Sequence, residues 1–133
     1  MKVGYKQLLE DARKEVKAIS AQDAIAKQND GNVVFVDLRD IRELQREGMI
    51  PGAFHAPRGM LEFWVDPESP YHKEIFASGK QFILYCASGW RSALATQTVQ
   101  RMGLAPVMHI EGGFTAWREA GGGVEKKEEK KSG

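Results

Sequence analysis

Cys86 is the chain's one cysteine, and its neighbours Tyr85, Ala87, Ser88, Gly89, Trp90, Arg91 and Ser92 put it where an apolar strand meets a helix. Residues 82–85 (FILY) form a short β-prone run, and residues 92–102 (SALATQTVQRM) have helix-forming composition with apolar positions at helical spacing. Cys86 thus falls at a strand's C-terminal end. A tight loop over 87–91, with Gly89 free to take positive φ, turns successive backbone N–H groups inward and delivers them to the first turn of the helix. Oriented amides and the positive end of a helix favour thiolate over thiol. The expected chemistry is nucleophilic, a reactive Cys86 in an anion cradle. The competing use of a lone cysteine is burial as a small apolar residue. A core cysteine has no need of Ser, Gly and Arg directly after it at the mouth of a helix, so the functional use is preferred.

The elements that position this loop alternate. Residues 5–16 and 21–28 read as helices, the second capped by Ser20. Residues 33–38 (VVFVDL) are a near-continuous apolar strand of the kind buried on both faces of a parallel sheet. Asp40 is placed to cap a helix over 41–47, and the turn 48–53 leads to a small strand at Phe54 and His55. Residues 58–78 hold two helix-like pieces, 60–65 and 71–76, around Pro67 and Pro70, as a lid or shoulder. Strands over 80–85 and 106–110 and helices over 93–102 and 114–120 complete an α/β fold with a mainly parallel central sheet. Ligand sites in such folds lie beyond the C-terminal ends of the strands, where both Asp37 and Cys86 fall.

The length, 133 residues, suits one domain. The expected organisation is an N-terminal helical extension over 1–15, the domain over 16–121 and a disordered, mixed-charge tail over 122–133. A formal net charge of +1 gives no global field for nucleic acid. One cysteine makes no intramolecular disulfide, and His55, His72 and His109 lack zinc-ligand spacing, so no metal or other cofactor is implied. The N-terminus lacks the apolar core of a signal peptide, and no segment approaches the roughly 18 apolar residues of a membrane span, so cytoplasmic residence is the default. The expectation is a monomer with no membrane partner.

Four separated segments carry a resemblance: VDLRD at 36–40, GMIPGA at 48–53, CASGWRS at 86–92 and EGGFTAW at 111–117. In this order and spacing the chain resembles a single-domain rhodanese over most of residues 16–121. It departs at Met49, where the family's turn usually carries histidine, which puts hydrogen bonding of that turn in doubt rather than catalysis. The resemblance implies a rhodanese-like fold and a sulfurtransferase. The Cys86 thiolate would take the outer sulfur of a small anionic donor such as thiosulfate, releasing sulfite, and the Cys86 persulfide would pass it to cyanide, a thiol or a protein acceptor. Ala87, Ser88, Gly89, Trp90 and Arg91 would bind the substrate through their amides, with the Ser88 hydroxyl as a further donor.

Arg91 has two readings: it recruits the dianionic donor, or it braces the loop against a carboxylate such as Asp37. Arg39 reads as a structural ion pair with Glu43 rather than a pocket residue. Trp90 is expected to wall the pocket or offer a docking surface, Trp64 and Trp117 to be core, and His109 to be a satisfied sheet residue rather than a base. Arg58 ranks below Arg91 as a cleft residue. The enzymatic rival is a phosphatase, but phosphatases with a comparable cysteine loop place five residues between Cys and Arg, and here four separate Cys86 from Arg91. Arsenate reduction would want a resolving cysteine, which this chain lacks. The noncatalytic alternatives are a binding module, usual where the loop cysteine is replaced, and a persulfide carrier dedicated to one partner.

Overall fold

The runs VVFVD and QFILY become the two central strands, β2 (Val33–Asp37) and β4 (Gln81–Tyr85), paired in parallel from Val33 opposite Gln81 to Asp37 opposite Tyr85. In the computed structural model, which describes residues 1–128, β5 (Val107–Ile110) adds beside β4 and β3 (Phe54–His55) beside β2. An edge strand β1 (Ala18–Ile19) lies beside β5 and gives the order β1-β5-β4-β2-β3, with every pairing parallel. The α/β architecture expected from the strand and helix alternation is present. Asp37 and Tyr85 end neighbouring strands, so Cys86 emerges from the middle of the sheet's C-terminal edge.

Because side chains alternate along a strand, Val34, Val36, Phe82 and Leu84 face one layer and Phe35, Ile83 and Tyr85 the other. The first layer packs under α4 (Leu61–Val65) and α5 (Trp90–Met102). The second packs under α2 (Ala21–Ala26) and α6 (Gly113–Glu119), with Trp117 fully buried. Between β2 and β3, α3 (Ile41–Glu47) starts with a capping box in which the Asp40 carboxylate accepts from Arg42 N–H and Glu43 accepts from Asp40 N–H. Outside these layers, α1 (Tyr5–Glu15) lies on α5 through Leu9, Ala12 and Ala93. No helix among the described residues is long and apolar enough to cross a membrane.

Four local readings change. β1 occupies what reads in sequence as a connector, because two residues suffice to extend β5: His109 N–H donates to Lys17 O and Glu111 N–H to Ile19 O. Residues 71–76 form no α-helix; a 3-10 turn (Glu74–Ala77) follows the proline-rich bend. Helix α5 begins at Trp90 rather than at residue 92, since Gly89, at φ 102°, makes the sharp entry itself. The expected disordered tail is partly anchored: Trp117 Nε1–H donates to Gly123 O at 2.8 Å, and Met49 and Glu125 exchange backbone hydrogen bonds at 2.8 and 2.9 Å. Residues 129–133, also read as tail, lie outside the described residues.

Candidate active site

Strand β4 delivers Cys86 to the loop, and α5 takes the chain away from Trp90 after three intervening residues, which folds the backbone around the sulfur. Gly89 N–H donates to Sγ at 3.2 Å and Ser92 N–H at 3.4 Å. Cys86 is buried, so these two donors stand where solvent would otherwise solvate a thiolate. The loop is clamped from behind by the start of α6: Phe114 N–H donates to Cys86 O at 2.8 Å and Thr115 N–H to Ala87 O at 3.1 Å. The two chains come so close that a Cβ on Gly113, itself at φ 61°, would sit 2.5 Å from Cys86 O. This is the physical use of the second glycine in EGGF.

Of the amides read as the cradle, Gly89 alone reaches Sγ, and Ser92, outside that set, supplies the other bond. Among the described residues, the N–H groups of Ala87, Ser88, Trp90 and Arg91 donate to no protein acceptor. Four unpaired donors in one turn are an incomplete anion site. The Ser88 side chain lies on the rim of a cleft between α1 and β5.

The charges around the loop pair differently from the sequence expectation. Arg91 reaches neither Asp37 nor open solvent alone: its Nη1 and Nη2 donate to Glu43 Oε2 and Oε1 at 2.9 and 3.1 Å. Those bonds hold the Arg91 pKa above its ordinary value, with the Cys86 sulfur a lesser contributor, and hold Glu43 below the usual carboxylate range. Arg39, expected to pair with Glu43, instead binds Asp37 through Nη2 at 2.8 Å and Nε at 3.0 Å, with both side chains fully buried, and donates to Gly48 O at 2.7 Å. The reason is reach: Arg39 stands two residues past Asp37, the last residue of β2, and its side chain turns inward over the Phe114 ring at 4.4 Å. Burial pulls the Arg39 pKa down, and the bonds and charge of Asp37 more than restore it.

The model of the rhodanese-like domain matches residues 20–120. The chain belongs to this family. Among curated proteins, the rhodanese-like chain is 29% identical over 107 residues to a sulfurtransferase of Allochromatium vinosum, covering 80% of this chain and 90% of the relative. It is 33% identical over 110 residues, 83% of its length, to an uncharacterized Synechocystis protein, and spans about half (52%) of that relative. Two solved structures bracket the fold. A Rhodopseudomonas palustris protein of unknown function, described as a possible tyrosine phosphatase, shares 54% identity at a TM-score of 0.91, over 94% of this chain and 96% of that one. The Wolinella succinogenes polysulfide-sulfur transferase shares 25% identity at a TM-score of 0.69, over 96% and 90%.

The remaining sequence candidates take their places in the rhodanese-like domain. Met49 is buried, and its turn is held by Ile50 N–H donating to Tyr85 Oη at 3.1 Å, so no histidine is needed there. Trp90 is half exposed and packs, with its ring tilted by 32°, at 5.2 Å on Tyr5 of α1, an element outside the family match. Trp64 is half-buried against Phe54 rather than core, and Arg58 pairs with Glu62 at 2.6 Å. His109 is buried, as a sheet residue should be, yet its Nδ1 lies 2.9 Å from Ser92 Oγ, which lies 3.6 Å from Cys86 Sγ. Sequence reasoning missed Ser92, Glu43 and His109 as neighbours of the loop. Only Ser92 left a trace, as the last residue of CASGWRS.

Proposed function

We propose that this rhodanese-like domain is a sulfurtransferase that carries sulfane sulfur as a Cys86 persulfide. The observation that carries the reading is the loop itself: one buried sulfur receiving two amides, with four further N–H groups unpaired around it. In the first step the Cys86 thiolate attacks the outer sulfur of thiosulfate or another sulfane donor. The S–S bond of the donor breaks, and sulfite leaves with the bonding pair. The terminal persulfide sulfur keeps one negative charge, and the amides of Ala87, Ser88, Trp90 and Arg91 are the donors to hold it. In the second step cyanide or a thiolate takes the outer sulfur and Cys86 returns as thiolate. The sulfurtransferase name of one relative and the sulfur-transfer name of one structural neighbour support this class of reaction. Cytoplasmic residence, monomeric action and a thiol or protein acceptor belong to the same proposal.

The second reading is phosphoester hydrolysis, favoured by the description of the Rhodopseudomonas protein at 54% identity. Two features weigh against it. Four residues rather than five separate Cys86 from Arg91, a tighter turn suited to one sulfur atom rather than a tetrahedral phosphoryl group. The arginine that would bind two phosphoryl oxygens is already held at both ends by Glu43. Parallel assays decide between the readings: thiocyanate release from thiosulfate or polysulfide plus cyanide, and release of phosphate from an aryl phosphate and a phosphotyrosine peptide. Sulfur transfer that disappears in Cys86→Ser supports the proposal. Cys86-dependent phosphate release without sulfur transfer overturns it.

A further inference from the structure

Beside the cysteine loop, three side chains lead from the sulfur toward a cleft that the loop's own Ser88 and Gly89 also line. Cys86 Sγ lies 3.6 Å from Ser92 Oγ, and Ser92 Oγ lies 2.9 Å from His109 Nδ1, all three buried. His109 also lines a cleft of about 430 Å³ with Arg13, Val16, Ala18, Ser88 and Glu111. With Nδ1 committed to Ser92, and no partner for Nε2 among the described residues, the second ring nitrogen is the one left for the cleft. The space is many times the roughly 30 Å³ that a water occupies in the liquid.

The geometry points to Ser92 and His109 as a proton relay that empties the Cys86 thiol into this cleft. Before transfer, Cys86 S–H donates to Ser92 Oγ, Ser92 O–H donates to His109 Nδ1, and the ring carries its proton on Nε2. The thiol proton then moves to Ser92 Oγ as the serine proton moves to Nδ1, and the Nε2 proton passes to water in the cleft. One proton leaves Cys86, one enters solvent, and the serine is regenerated. The ring ends with its proton on Nδ1, and the reversed chain now donates from His109 to Ser92 and from Ser92 to the thiolate. The relay therefore stabilises what it produces, as a third donor beside the two amides. His109 touches no reacting atom and is a positioning residue that acts through Ser92.

The surroundings keep the ring neutral, which a tautomer relay needs. Burial, with the charge of Arg13 from α1 as a second cause, lowers the His109 pKa from 6.5 to about 4. The charged groups facing the cleft are Arg13 and Glu111, while Lys17 offers its carbonyl to His109 N–H at 3.1 Å. Arg13 belongs to the helical extension that precedes the family match, so this segment has a role at the site. The inference rests on Cys86 acting as the nucleophile and not on which group it transfers.

The test uses nitrogen-15 NMR of His109 in the full reduced chain while the thiol is titrated, with thiolate followed by ultraviolet absorbance. The protonated ring nitrogen should change from Nε2 to Nδ1 in step with the thiolate, and Cys86→Ser should hold one tautomer throughout. A single tautomer through the wild-type titration overturns the relay. Alkylation by iodoacetamide at neutral pH adds a second readout, with Ser92→Ala and His109→Phe each slowing it about tenfold, and the double variant no further. Unchanged rates, or losses that add, overturn the relay as well. If His109→Phe fails to fold, Ser92→Ala and the wild-type titration still decide. None of these readouts needs sulfur transfer, so a relay that works in a protein that forms no persulfide would sink the proposed function alone.

Discussion

Arg91 and Glu43 grip each other at both ends, Nη1 to Oε2 at 2.9 Å and Nη2 to Oε1 at 3.1 Å, and so tie the first turn of α5 to the first turn of α3. Glu43 also accepts from Asp40 N–H, which makes one carboxylate both a helix cap and the anchor of the cysteine loop. Of the two readings of Arg91, this pairing favours the brace. Because both side chains are partly exposed, the pair should contribute about 1 kcal/mol. Arg91→Ala and Glu43→Gln should each lose roughly that amount in urea unfolding, and the double variant little more. A rise in KM for anionic donors in Arg91→Ala, with Glu43→Gln unaffected and both stable, would contradict bracing.

Asp37 and Arg39 form the pair that cannot be opened. Both are fully buried, and Arg39 is also tied to Gly48 O under the turn before β3. Replacing Asp37 by Asn leaves the buried guanidinium with only the longer contact to Glu47 Oε2, 3.5 Å from Nη1, as counter-charge, at a cost of roughly 3 kcal/mol. Chemical denaturation of Asp37→Asn measures it. A loss below about 1 kcal/mol would mean that the guanidinium finds another acceptor.

Much of this arrangement is legible in the sequence, for identifiable reasons. The strands β2 and β4 are apolar runs with turn signals at both ends, and Cys86 follows one of them directly, so the loop's place at the sheet edge follows from local pattern. The resemblance of four motifs to a rhodanese extends the same reading to the family. What is not legible depends on contacts across the chain. β1 has two residues and no periodicity, and exists only because β5 offers an edge. Arg39, Glu43 and Arg91 are all plausible partners by spacing, and depth in the fold decides among them. Residues 122–125 read as tail because Met49, which pairs with Glu125, is distant in sequence, and the nearby Trp117 binds a backbone carbonyl that leaves no mark on residue type.

Gly113→Ala should damage the site without touching a reacting atom. The added Cβ would meet Cys86 O at 2.5 Å and Ala87 O at 2.7 Å, both backbone, in a residue at φ 61°. The loop must then separate from α6. A stability loss of about 2 kcal/mol or more is expected, along with slower alkylation of Cys86 as the cradle distorts. Thermal melting and an alkylation time course test this, and wild-type values in both would show that the close approach is unimportant.

Acid should weaken the fold through His109 before it reaches the carboxylates. The folded pKa of about 4 lies below the ordinary 6.5, so between those values the unfolded chain binds the extra proton. Stability is then full above pH 6.5, falls as the pH drops toward about 4, and levels off below, by on the order of 3 kcal/mol in total. Glu43, lowered by its bonds to Arg91, adds its loss only below its ordinary 4.5. Urea midpoints between pH 5 and pH 6.5 should slope in the wild type and be flat in His109→Phe. A flat wild-type profile would mean that the ring protonates freely in the native state.

The intact mass of the protein after thiosulfate or polysulfide reads the Cys86 persulfide. A gain of one sulfur atom is expected, absent in Cys86→Ser and removed by cyanide with release of thiocyanate. No gain from any sulfane donor, with Cys86 still readily alkylated, would contradict it and leave a reactive thiolate with a different reaction to perform.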